Sequence, residues 1–241
     1  MQTITAILTV YNRPYTFDEQ YEAIMNQSVP PNEVMVWVNK GNPNELDFSK
    51  YDAKVINCNT NFKFHGRFAG ALLARSDYVA IFDDDTIPGE HWFKNCLHTI
   101  SYTNGILGSI GVRLHSPDYY NPHEKFGWLT KNEKVEEVDL VGHAWFFRKE
   151  LAKYMWYEEP VSWENGEDMQ FSYLCQKYGN IPTHVPSHPA GDRSLWGSVK
   201  GEIGHDSAAT YLHDHTHGGL RNKIVNQCVQ NGWNPICTRE I

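Results

Sequence analysis

Apolar and polar positions along the first 110 residues switch repeatedly between a strand period and a helix period. Ile4 to Val10 reads as a buried strand, and Asn12-Arg13-Pro14 breaks it. Phe17, Tyr21, Ile24 and Met25 then recur at helical spacing behind Thr16-x-x-Glu19, which has the form of a capping box. Ser28-Val29-Pro30-Pro31 stops that helix, and Val34 to Val38 is a second β-rich run, closed by Asn39-Lys40-Gly41-Asn42-Pro43. A short strand near Lys54 to Asn57 precedes a helix with Phe64, Phe68, Ala71, Leu72 and Arg75 in register. Tyr78 to Phe82 is a further continuous apolar strand, and it runs directly into Asp83-Asp84-Asp85. Strands alternating with helices imply crossover units and a mainly parallel sheet.

The second half is more mixed. Ile106 to Leu114 and Val138 to Phe147 read as strands joined by a polar, Pro/Tyr-rich loop. Lys149 to Trp156 and Glu167 to Tyr178 read as helices, with Gly179 as a left-handed stop for the second. Residues 187 to 219 are rich in Gly, Ser and His without periodicity, as expected of a long functional loop, and Leu220 to Val229 closes the pattern as a helix. No repeat or low-complexity tract interrupts it, so one domain is expected.

Composition narrows the function. The chain has 241 residues and a formal net charge of −8, which disfavours bulk polyanion binding, so no nucleic-acid partner is expected. The longest apolar stretches are about five residues, against the roughly 20 that span a bilayer, so no transmembrane segment is expected. No signal peptide is visible either. Cys58, Cys96, Cys175, Cys228 and Cys237 include no CxxC pair, which points to reduced thiols and a cytoplasmic setting. Cys96, Cys175 and Cys228 fall on apolar helix faces, as small buried residues do.

The strongest chemical signal is Asp83-Asp84-Asp85 at a strand end. Three adjacent carboxylates repel one another, and a hard divalent cation, Mn²⁺ or Mg²⁺, removes the conflict while keeping positions open for phosphate oxygens. Positions i and i+2 of an extended chain face one side, so Asp83 and Asp85 can share the ion. Open α/β sheets bind their ligands at such strand ends. The competing reading is an acidic turn capping a helix near Glu90. Downstream, Glu167-Asp168 opens a helix with Phe171, Leu174, Cys175 and Tyr178 on its apolar face, where plain capping by first-turn carboxylates competes with a catalytic role. His213-x-His215-x-His217 has plausible ligand spacing, against a solvated polar loop as the alternative.

Val10-Tyr11-Asn12-Arg13-Pro14, Asn59 to Ala74, the acidic strand end and Gly166-Glu167-Asp168 together resemble GT-A glycosyltransferases. Phe82-Asp83-Asp84-Asp85-Thr86, Leu140-Val141-Gly142-x-Ala144-x-Phe146-Phe147 and Asn222-Lys223-x-Val225-Asn226 resemble successive blocks of the exostosin-like branch. The resemblance implies a single Rossmann-like α/β domain with helices flanking its sheet. Residues 1–114 would form the nucleotide-sugar half and 115–241 the acceptor half, with a mobile loop over about 187–219. It places Thr9, Tyr11 and Arg13 at the nucleobase and phosphate edge, Asn39 at the base, and Arg67 at the nucleotide. Asp83 would contact ribose or metal, Asp84 would lie beside the nucleotide, and Asp85 would ligate the metal with His215 as a further ligand. Asp168 would take the acceptor's proton and Glu167 would hold acceptor hydroxyls, while Trp163 could stack on a sugar face. His217 aligns where relatives carry an Arg at the leaving diphosphate, a departure that leaves His217 or Arg221 for that task and keeps the stereochemistry open.

The expected function is therefore metal-dependent transfer from a nucleotide-diphosphate sugar, a UDP-sugar first, to a carbohydrate or glycoconjugate hydroxyl. Two rivals remain: a nucleotidyltransferase of the same sheet type, which usually needs a Gly-rich basic loop after its first strand, and a catalytically silent carbohydrate-binding protein.

Overall fold

A computed structural model describes residues 2–40, 46–207, 209, 212 and 216–239. The first four strands, β1 (Ile4–Val10), β2 (Glu33–Val38), β3 (Lys54–Asn57) and β4 (Tyr78–Phe82), are parallel, with Ile7 opposite both Met35 and Ile81. Every residue of β1 and β4 is buried, as in sheets covered on both faces. The alternating side chains explain the layers. Ile4, Ala6, Leu8 and Val10 face α1 (Phe17–Met25) and α3 (Trp92–Thr103), whereas Ile7, Val79 and Ile81 face α2 (Gly66–Leu73) and α4 (Glu167–Gly179).

Beyond β4 the sheet becomes mixed. β5 (Ile106–Leu114), β6 (His123–Gly127), β7 (Glu136–Val138), β8 (Leu140–Arg148) and β9 (Thr183–Val185) extend it to the order β3-β2-β1-β4-β8-β5-β9-β7, with β6 paired to β5. β8 runs antiparallel to β4 with Phe82 opposite Ala144, and that register decides the site. The last helix, α5 (His217–Gln230), packs Ile224, Val225 and Cys228 against Met169, Tyr173 and Leu174 of α4. Cys96, Cys175 and Cys228 are buried, as expected.

Several local expectations are corrected. Thr16 caps nothing, because its hydroxyl donates to the carbonyls of Arg13 (2.7 Å) and Asp84 (2.6 Å), and Glu19 pairs with Lys200 instead. The run Val138 to Phe147 breaks at Asp139, whose carboxylate accepts from the backbone N–H groups of Leu114 and Ile236, each at 2.7 Å. Leu72 lies on the exposed side of α2, which ends one residue later. Asn180, not Gly179, is the left-handed residue that ends α4, at φ 50°. Strand β6 sits inside the expected loop; its polar sequence is held by Arg113, which pairs with Glu124 and covers the Phe126 ring. The Lys149–Trp156 segment is a 3₁₀ helix.

The His-rich stretch is also more built than its composition suggests. His188 is fully buried against Trp92, and its Nε2 accepts from the Gly197 N–H at 3.0 Å. Residues 187 to 199 are therefore anchored to the core through His188, Trp196, Gly197 and Ser198, while 190–193 stay exposed. The short Gly201–His205 turn follows, and His213 and His215 lie outside the described residues.

Candidate active site

The acidic turn is fixed from below by α1. Gln20 donates its amide to the carbonyls of Asp83 (2.7 Å) and Thr86 (2.8 Å), while Thr16 holds that of Asp84. From the side, the Asp83 N–H donates to the carbonyl of His143 at 2.8 Å, continuing the β4–β8 ladder past the strand end. This pairing brings the His143 imidazole to the carboxylates, with Nδ1 3.4 Å from Asp85 Oδ1 and 3.8 Å from Asp83 Oδ2. One ligand atom each from Asp83, Asp85 and His143 lies within 4.8 Å of the other two. His143 has a left-handed backbone (φ 61°), which costs a non-glycine residue roughly 1–2 kcal/mol, and its ring stacks on Trp128 at 4.0 Å. The packing against Trp128 holds that conformation in place.

Two arginines and the imidazole divide the three carboxylates among them. Asp83 pairs with Nη1 of Arg67, whose Nη2 donates to Glu167 at 2.9 Å and whose guanidinium lies 4.8 Å from the Trp145 ring centroid. Asp84 pairs with Arg13 at 2.8 Å. Arg13 also grips Asp206 with two bonds of 2.8 and 2.9 Å and passes Asp85 at 3.6 Å. Gly204 lies over the turn: a Cβ there would sit 3.2 Å from Asp85 Oδ2. Burial first, then the Asp85 charge, pushes the Asp84 carboxyl up to about 6. Asp85 goes the other way; although burial raises it, the His143 hydrogen bond and charge, with Arg13, hold it below the usual carboxylate range. Burial lowers the His143 imidazole, but hydrogen bonding to Asp85 and the two carboxylate charges outweigh this and raise it.

A second group stands beside the first. Gly166, in the left-handed region at φ 89°, turns the chain into α4, and a side chain there would strike Ile224 at 2.6 Å. Asp168 accepts from the Met169 N–H at 2.8 Å and from Arg221 at 2.7 Å. Its Oδ2 is 4.0 Å from where a Cβ on Gly142 would be, so it stands above bare backbone of β8, one residue from His143. Asn165 links this group to α5, accepting from Arg221 at 3.0 Å and meeting His217 Nδ1 at 3.0 Å. Arg67 joins the two groups by touching both Asp83 and Glu167.

The structure thus brings together Arg13, Arg67, Asp83, Asp84, Asp85, Glu167 and Asp168. It places His217 and Arg221 around Asn165 and Asp168 rather than on the acidic turn. Asn39 holds the 61–63 turn, donating to Asn61 (2.9 Å) and the Lys63 carbonyl (3.0 Å) and accepting from the Phe62 N–H (2.8 Å); Tyr11 accepts from Asn61 at 3.0 Å. The buried Thr9 hydroxyl has no partner among the described residues. The imidazole beside the carboxylates is that of His143, which sequence reasoning passed over as the unassigned position of Leu140-Val141-Gly142-x-Ala144. Its signal was a histidine inside an apolar strand, but only the antiparallel β4–β8 pairing shows what it faces. Trp128, which follows β6, and Asp206, which follows the 201–205 turn, likewise reach the site only through long-range contacts, with His143 and Arg13 respectively.

Glu167 carries a pH signature. Burial first, and the Asp168 charge second, push its carboxyl up to about 7 from an ordinary 4.5, against the pull of Arg67. Between those values the folded chain keeps a proton that the unfolded chain has lost, so this group makes stability fall as pH rises through the window. Urea midpoints of Glu167→Gln and the wild type should converge near pH 4.5, with the variant more stable by about 1–3 kcal/mol at pH 8. A difference that does not change with pH would contradict this assignment.

A family profile described as "Glycosyl transferase family 2" matches residues 5–156. The glucosyl-dolichyl phosphate glucuronosyltransferase of Haloferax volcanii is 29% identical over 155 residues, covering 56% of this chain and 49% of that protein. Two crystal structures of S. aureus TarS 1–349, the second in complex with UDP, superpose with TM-scores of 0.56 and 0.55 at 18% and 19% identity. Each covers 78% of this chain and 59% of the other, and at that identity the likeness is one of fold. The chain spans about half the length of the curated relative it matches.

Proposed function

The chain belongs to glycosyl transferase family 2, and from that premise we propose that it moves a sugar from a nucleotide-diphosphate sugar, a UDP-sugar, to a carbohydrate or glycoconjugate hydroxyl with the help of a divalent cation. The observation that carries this reading is the Asp83–Asp85–His143 cluster at the carboxyl end of β4, joined through Arg67 to the Glu167–Asp168 pair. Two carboxylates and an imidazole form a donor set that suits Mn²⁺ better than Mg²⁺, which prefers oxygen ligands alone. Bound there, the ion would neutralise charge on the departing diphosphate.

The chain's own residues supply the rest. Arg67 and Arg13 fix the carboxylate directions of the acidic turn. Asp168, standing over Gly142, accepts the proton of the attacking hydroxyl, and Glu167 with Arg67 holds the geometry between donor and acceptor. The UDP-bound TarS fold supports a uridine donor, and the curated relative's name supports a glycosylated lipid phosphate among the acceptor classes. The exostosin-like affinity rests on the three sequence blocks alone. Among the described residues no helix is long and apolar enough to cross a membrane. The proposed cytoplasmic setting rests on the five unpaired thiols alone. A nucleotidyltransferase reading gains nothing, since Arg13 is spent on Asp84 and Asp206.

The test is UDP release from a panel of UDP-sugars with Mn²⁺, Mg²⁺ or chelator. We expect thermal stabilisation and turnover with Mn²⁺ and one UDP-sugar, both abolished by chelation. Turnover indifferent to chelation, or no response to any UDP-sugar, sinks the proposal.

A further inference from the structure

His65 precedes α2 and is 1% exposed, yet neither ring nitrogen has a hydrogen-bond partner among the described residues. Buried polar atoms are almost always paired, so a ring with both nitrogens open needs an explanation. Packing does not supply one, because a phenylalanine would fill the same place without stranding two polar atoms. The neighbourhood points to a ligand. The Trp163 ring centroid is 5.2 Å away at 58°, and Trp163, which lies five residues before Asp168, is 48% exposed. An ion pair of 2.8 Å between Lys63 and Glu164 ties the loop before His65 to the loop carrying Trp163.

We propose that His65 and Trp163 form an acceptor subsite for a neutral sugar, whose apolar face stacks on Trp163 and whose hydroxyls pair with the imidazole. This deepens the transferase reading and rests on it. A sugar hydroxyl both donates and accepts, which matches a neutral imidazole carrying one N–H and one lone pair. Burial, then the Arg67 charge, pushes the His65 pKa down to about 4, so the ring is uncharged under working conditions. The nearby cations are already engaged, Arg67 by Asp83 and Glu167 and Lys63 by Glu164, so nothing here favours a uronic acid or a phosphate. The place also fits an acceptor: His65 feels the charge of Asp168, the proposed base, and Arg67 stands between it and the acidic turn.

The test uses labelled protein with UDP and Mn²⁺ on a printed array of oligosaccharides ending in neutral hexoses or in uronic acids, alongside UDP-sugar turnover in solution. Wild type should retain neutral-ended glycans. His65→Phe, which keeps the tilted ring contact with Trp163, and Trp163→Leu, at an exposed position that does not threaten folding, should each weaken retention at least tenfold. Against the best array glycan both should raise the acceptor KM with the donor KM held, and His65→Gln, which keeps a donor and an acceptor, should recover part of the loss. Unchanged retention by both variants, a preference for uronic acids, or no retained glycan while UDP-sugar turns over would each overturn the subsite. Glycan retention without any turnover would instead leave the subsite standing and overturn the transferase reading.

Discussion

Asp168→Asn lowers kcat by roughly 10²–10⁴-fold, the usual worth of a positioned general base, while UDP affinity stays within about twofold of wild type. The substitution keeps side-chain volume and removes only the ability to take a proton. Both carboxylate oxygens are already committed as acceptors, one to the Met169 N–H at 2.8 Å and one to Arg221 at 2.7 Å. An ionised carboxylate has about four lone-pair sites, so each oxygen can still receive the acceptor's hydroxyl proton. An amide cannot satisfy both neighbours, because one of them must face its NH₂. The variant therefore also carries a local cost of about 1–3 kcal/mol, read as a lower urea midpoint. Single-turnover rates and UDP calorimetry separate the two effects. Turnover within tenfold of wild type would move the base elsewhere, Glu167 being the nearest candidate.

The parallel half of the sheet was legible in the sequence because buried strands leave continuous apolar runs and crossover helices leave a 3.6-residue period. Its carboxyl-end turn was legible too, since three aspartates in a row are conspicuous wherever they occur. Antiparallel additions were harder to read. Strand β6, His123–Gly127, has no alternating pattern, and Asp139 interrupts a run that otherwise reads as one strand, because its side chain takes backbone hydrogen bonds from two remote segments. His143 shows the same limit at the site. Its place beside the carboxylates follows from the pairing of Phe82 with Ala144, a long-range register that local periodicity does not encode, whereas His213-x-His215-x-His217 is conspicuous by its regular spacing alone. Asn39 was legible as a polar residue at a strand end, but not as the bracket that shapes the 61–63 turn. Sequence reasoning finds residue types suited to a chemistry; the sheet order selects which of them meet.

Asp85→Asn and His143→Gln should fail together if the cluster is a metal site, and that shared failure separates it from a purely structural ion pair. Each should lower Mn²⁺-supported turnover by roughly 10²–10³-fold and abolish the thermal stabilisation that Mn²⁺ plus UDP gives the wild type. That stabilisation follows RT ln(1 + [L]/Kd), about 2.7 kcal/mol at 100 Kd, so its disappearance reports lost binding independently of activity. Asp84→Asn is the contrast. Asp84 points to Arg13, 2.8 Å away, and is not among the three residues whose ligand atoms converge, so its loss should leave the Mn²⁺ shift largely in place. A structural role predicts the reverse ordering: Asp84 carries the shorter Arg13 contact, against 3.6 Å for Asp85, so its removal would free Arg13 and loosen the grip on Asp206. Melting curves of the three variants with and without Mn²⁺ and UDP decide the matter. An Mn²⁺ shift that survives in Asp85→Asn and His143→Gln would place the ion elsewhere and remove the observation on which the proposed mechanism stands.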